Sequence, residues 1–233
     1  MSALLCVGNS HLAAVAKGAA IAGIEVVAIP MRNRRRAAAA EDEEEDFWGR
    51  VSAAIAARRP NRLFAFIGGG TPAVLGLLKH PEPFDVVLPE APLLPLAPDA
   101  AVVPYDALRA AMLAHVRRHF RRLARLSALG VPVVQAETPP PVPDNEFLAR
   151  SLARACPGTQ AADISPPALR YKLWRLHSTL FESFCAGRKI AYCRNPPEVA
   201  DEHGFLKREF WGDVVHGNAR YGAVLLQRLK EYA

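Results

Sequence analysis

The opening of the chain alternates between two kinds of segment, and that alternation restricts the fold more than any other feature. Ala3-Leu4-Leu5-Cys6-Val7 is a short unbroken apolar run, the pattern of a buried strand. Gly8 and Asn9 break it, an Ala-rich stretch over 11–22 reads as a helix, and a second apolar run over 24–29 ends at Pro30. Strand, tight turn, helix and strand in that order imply a parallel pair joined by a right-handed crossover. A parallel sheet buries both faces, so the rest of the chain must supply helices for both.

It does so by continuing the same alternation. Apolar runs at 63–67, 131–135 and 189–193 read as three further strands. Between them lie helical patterns at 47–59, where Phe47, Val51 and Ile55 recur every four residues, and at 71–78, 106–129, 147–154 and 168–186. Thr71-Pro72 suits a helix start, with Thr as cap and Pro in the first turn. A last helix covers 219–232, with Asn218 as its cap. Five strands alternating with helices predict an α/β protein with one open parallel sheet between two helical layers.

A length of 233 residues, 51% of them hydrophobic, fits one domain spanning 1–233. Two Pro-rich stretches, 81–104 and 138–146, read as loops on that frame. The first leaves the third strand near its carboxyl end, so we expect it to roof a site there. No stretch approaches the roughly 20 apolar residues of a membrane span, and the first residues lack a charged leader, so the expectation is a cytoplasmic protein. The four cysteines, Cys6, Cys156, Cys185 and Cys193, contain no Cys-x-x-Cys pair and read as reduced thiols.

Charge is unevenly distributed. The chain carries a formal +6, yet an acidic block fills 41–46; without it, 29 basic and 17 acidic residues leave +12. That block and the basic run Arg32-Asn33-Arg34-Arg35-Arg36 form a charged insertion at 32–46, read as a solvated surface segment. The long helix at 106–129 has an apolar stripe of Leu108, Met112, Val116, Phe120 and Leu123. Arg117, Arg118, Arg121, Arg122 and Arg125 crowd its other face, which reads as solvent-facing. No zinc-finger spacing, aromatic RNA-binding signature or helix-turn-helix accompanies the arginines, which argues against a nucleic-acid partner.

Two short motifs carry chemistry. Gly8-Asn9-Ser10-His11 closes the first strand, and Asp213-Val214-Val215-His216 precedes Gly217, Asn218 and the last helix. A serine hydroxyl needs an imidazole to take its proton, and the imidazole needs a carboxylate to hold its tautomer and balance its charge. Ser10, His216 and Asp213 supply those three groups from opposite ends of the chain. On its own, Ser10 is equally readable as a helix cap, and His216 as a loop histidine.

These blocks resemble those of the SGNH (GDSL-like) hydrolases. Gly8-Asn9-Ser10-His11 is similar to the family's first block and Asp213-x-x-His216 to its last. Ile67-Gly68-Gly69-Gly70 stands where the family has Gly-x-Asn, with Gly70 in the place of the Asn. The family's glycine block after the second strand is not recognisable. The resemblance implies a flavodoxin-like αβα sandwich with strand order 2-1-3-4-5. It also implies a Ser10 nucleophile, a His216 base oriented by Asp213, and an oxyanion hole from the N–H groups of Ser10, Gly69 and Gly70. Substrate contacts are expected from Asn9, His11 and Trp211. The implied activity is hydrolysis of a carboxylic ester, such as an O-acyl group on a carbohydrate or small metabolite, with no metal or organic cofactor. Two other readings stay open: a binding protein of the same fold with an impaired oxyanion hole, and a polyanion binder using the Arg-rich helix. Homo-oligomer formation is left open too.

Overall fold

The computed structural model describes residues 3–31 and 40–233. Its centre is a five-stranded sheet of β1 (Leu4–Gly8), β2 (Val26–Pro30), β3 (Leu63–Phe66), β4 (Val133–Ala136) and β5 (Ala191–Cys193). Every pairing is parallel, and the order is β2-β1-β3-β4-β5. This is the flavodoxin-like order that the SGNH resemblance implies. Pro30 ends the edge strand β2, where its missing N–H costs no ladder bond inside the sheet.

Alternation along β1 divides the core in two. Leu5 and Val7 face one layer, with Phe47, Val51, Met112, Val116, Leu173 and Phe181. Leu4 and Cys6 face the other, with Leu12, Val15, Leu148, Leu225 and Leu226. The first layer comes from α2 (Ala40–Arg58), α4 (Tyr105–Ser127) and α6 (Pro167–Ala186). The second comes from α1 (Leu12–Ala22), α5 (Asn145–Leu152) and α7 (Ala219–Lys230). The predicted stripe of α4 is the buried one. Helix α2 starts earlier than its apolar spacing predicts and takes in the acidic block; the basic run 32–36 lies outside the described residues.

The helices α1 and α7 touch through glycines. A methyl group on Gly222 would come within 2.0 Å of the Ala14 carbonyl oxygen, and one on Gly18 within 2.4 Å of the Ala223 nitrogen. Only residues without a side chain allow this backbone approach.

The short helix α3 (Thr71–Gly76) is capped by Gly70 rather than by Thr71, and no side chain accepts from its first turn. The Pro-rich stretch 81–104 does not roof the sheet edge beside Ser10. It is tied to α6 by a buried ion pair: Lys172 Nζ lies 2.8 Å from Asp85 Oδ1 and donates to the Pro95 carbonyl. Asp85 also accepts from the N–H groups of Val86 and Ala97, so its charge is fully partnered.

Candidate active site

Parallel strands bring β1 and β3 to the same sheet edge, with Gly8 paired to Phe66. Gly8 has φ 153°, and a Cβ there would press within 2.3 Å of the Phe66 carbonyl oxygen. The chain can therefore turn tightly out of β1 only at glycine. Asn9 N–H donates to that same carbonyl, and the chain winds into α1 through Leu12 N–H to Asn9 O and Ala13 N–H to Ser10 O. His11, not Ser10, takes the cap position, and no side chain caps the helix. The Ser10 hydroxyl is left for another partner.

That partner is His216. Ser10 Oγ lies 2.6 Å from His216 Nε2. On the far side of the ring, Nδ1 is 2.8 Å from both carboxylate oxygens of Asp213. Burial raises the Asp213 pKa, but the hydrogen bond from His216 and those from the N–H groups of Val215 and His216 outweigh it and lower the value to about 2. An ionised carboxylate can only accept, so Nδ1 carries the ring proton, Nε2 accepts, and the Ser10 hydroxyl donates.

The His216 loop is held locally. Gly212 and Asp213 N–H groups donate to the His216 carbonyl. Asn218 caps α7 by accepting from Arg220 and Tyr221 N–H, while its amide donates to the Glu209 and Trp211 carbonyls. Tyr221 donates to Asn195, whose amide donates to Glu137 beyond the end of β4, fixing α7 to the sheet edge.

The glycine turn is built on a residue that sequence reasoning missed. His177 of α6 hydrogen-bonds the Gly68 carbonyl at 2.9 Å, and Phe181 fills the space a Gly68 side chain would need. Gly68 has φ 94°. A Cβ on Gly69 would collide with the His11 ring at 1.8 Å, whereas one on Gly70, at φ −84°, would meet nothing within 4 Å. Among the described residues, no acceptor engages the N–H of Ser10 or Gly69. The amide that an Asn at 70 would present has no counterpart at Gly70.

His11 packs against His216 with ring centroids 4.7 Å apart and is buried. Burial, first, and then the repulsion that a protonated His216 would exert lower its pKa to about 3, so it is neutral. Asn9 donates to Met31 Sδ, and its Oδ1 is buried without a partner. Trp211 lines neither cavity beside His216: it stacks on Phe147 and donates to the Leu206 carbonyl, which makes it a support of the loop.

Two cavities flank the Ser10–His216 pair. One is an apolar slot of about 50 Å³ between Gly69, Leu77, Pro139, Val142, Trp174 and His216. By the same measure one water needs about 10–15 Å³, so the slot holds a short apolar group. The other is a groove of about 510 Å³ that Ser10 shares with Asn9, His11, the glycine turn and the polar face of α4. Part of the face read as solvent-facing is thus a wall of the groove.

No family model matches the sequence, and comparison with curated proteins gives no match. Solved structures do match. A protein from Bacteroides fragilis, provisionally assigned as an acylhydrolase, is similar at TM-score 0.50 and 12% identity, over 99% of this chain and 86% of the other. One from Streptococcus pneumonia, provisionally assigned as a platelet activating factor, gives TM-score 0.50 and 12% identity, over 99% and 83%. The chain has the SGNH-type fold. A GDSL-like lipase from Bacteroides thetaiotaomicron is also similar, at TM-score 0.47 and 14% identity over 99% and 87%. At this identity the SGNH likeness speaks to fold alone, and the chemistry is argued from the side chains.

Proposed function

We propose that this chain is a serine hydrolase of the SGNH type that cleaves a short-chain carboxylic ester, such as an O-acyl group on a carbohydrate or small metabolite. The observation that carries this reading is the Ser10–His216–Asp213 relay, with 2.6 Å between Oγ and Nε2 and 2.8 Å between Nδ1 and the carboxylate. Ser10 Oγ adds to the ester carbonyl while its proton passes to His216 Nε2. The carbonyl oxygen becomes an oxyanion facing the N–H groups of Ser10 and Gly69. When the C–O bond breaks, His216 returns the proton to the departing alcohol. Water then adds to the acyl-enzyme by the same route and releases the acid. The apolar slot beside Gly69 and His216 takes the acyl group.

The empty space at Gly70 favours a second reading, a binding protein of this fold with a weakened oxyanion hole. A fluorophosphonate probe separates the two. The hydrolase reading expects covalent labelling of wild type and none of Ser10→Ala. Equal absence of labelling in both proteins would leave the binding reading in its place.

A further inference from the structure

The Arg-rich face of α4 has no role in the proposed reaction so far, yet it borders the reacting groups. Arg117, Arg118 and Arg121 line the groove of about 510 Å³ in which Ser10 sits. All three are exposed, and among the described residues none makes an ion pair. Their helical neighbours differ: Arg122 is held by Glu44 at 2.7 Å, and the Arg125 guanidinium sits 4.3 Å over the Trp48 ring. Among the described residues, no Asp or Glu lines the groove to compensate the three charges. Two buried imidazoles complete the wall: the His11 ring sits against the Gly69 backbone, and His119 Nε2 accepts from Arg118 Nε at 3.4 Å. Burial keeps both histidines neutral at ordinary pH, so neither adds charge to the groove.

We propose that this groove selects a substrate ester that bears a phosphate group, held by Arg117, Arg118 and Arg121 while the ester carbonyl lies at Ser10. The inference rests on the hydrolase reading for its chemistry but not for its binding. Three planar guanidiniums facing one space match the several oxygens and double charge of a phosphate monoester better than the single charge of a carboxylate. His216 lines the apolar slot and Ser10 the basic groove, with Gly69 common to both, which gives a short acyl group and a phosphorylated alcohol separate places.

The test compares phenyl acetate with 4-acetoxyphenyl phosphate and 4-acetoxybenzoate, alongside calorimetric binding of phenyl phosphate to Ser10→Ala. At low salt the phosphate ester is expected to exceed the neutral ester about tenfold in kcat/KM, with the ratio falling as salt rises. Replacing Arg117, Arg118 and Arg121 together by Ser should bring that ratio near one and abolish the binding of phenyl phosphate to the same variant carrying Ser10→Ala. Equal rates for the neutral and phosphate esters, or a preference that survives the triple replacement, would overturn the proposal. So would a benzoate that matches the phosphate. Should wild type resist the fluorophosphonate while Ser10→Ala binds phenyl phosphate in an Arg-dependent way, the groove stands and only the hydrolase reading falls.

Discussion

Ser10 Oγ and His216 Nε2 lie 2.6 Å apart although 206 residues separate them in sequence. Ser10 is exposed and caps no helix, so its hydroxyl contributes little to stability. Ser10→Ala should lose at least about 10³-fold of ester turnover, while its melting temperature stays within a degree or two of wild type. Activity equal to wild type on 4-nitrophenyl acetate would remove Ser10 from the chemistry.

Asp213 holds the proton on Nδ1 of His216. In Asp213→Asn the amide can turn a donor toward the ring and favour the wrong tautomer. Turnover should fall by up to about 10⁴-fold, with KM changing far less. A variant as fast as wild type would show that the backbone of the loop alone orients the imidazole.

Gly69 and Gly70 should respond in opposite ways. Gly70→Asn places its side chain in open space at an ordinary backbone conformation. If its amide reaches the oxyanion, turnover rises by up to about 10²-fold. Gly69→Ala drives a methyl into the His11 ring, which packs on His216, and should lower turnover. Steady-state kinetics on the two purified variants decides; a Gly70→Asn protein no faster than an active wild type would mean that another donor already fills the hole.

His11, His119 and His177 are all buried, and burial is the first cause of pKa values lowered to about 3, 4 and 4. Each folded-state value lies below the ordinary one near 6.5. Between the two, the unfolded chain binds the proton that the folded chain refuses, so stability falls as pH falls. At pH 5 the cost is on the order of 1–2 kcal/mol per histidine. Urea midpoints should drop clearly between pH 7 and pH 5; a flat profile would contradict the burial of these rings.

The Lys172–Asp85 pair makes the loop 81–104 part of the folded body. Lys172→Met leaves a buried carboxylate with only backbone partners and should cost about 3 kcal/mol, read by chemical denaturation. Adding Asp85→Asn should recover part of that loss. A single variant as stable as wild type would mean that the backbone donors suffice for Asp85.

Local pattern made most of this architecture readable. Apolar run length marked the strands, four-residue spacing marked the buried side of α4, and the two motifs at the chain ends are the groups that meet at the sheet edge. What escaped were relations that pattern does not encode. Spacing says which side of α4 is apolar, but not that Arg117, Arg118 and Arg121 on the other side border Ser10. The loop 81–104 begins near the site, yet its course follows a pairing of Asp85 and Lys172 that lie 87 positions apart. His177 is one histidine in a long helix, and nothing nearby in sequence points to the Gly68 carbonyl. Trp211 lies five residues before His216, but its ring faces Phe147 instead of the groove.

The glycine contact between α1 and α7 has a consequence for the order of events during synthesis. Ser10 immediately precedes one of these helices and His216 the other, and Gly18 and Gly222 let the two helices lie against each other. On a ribosome the serine emerges 206 positions ahead of its histidine and must wait for that length of chain. Closing so long a loop is a slow, late step. A nascent chain lacking α7 would display the apolar face of α1 and react with no serine probe. Probe reactivity would then mark the moment at which the last helix docks, and a bulkier residue at Gly222 would delay or prevent it.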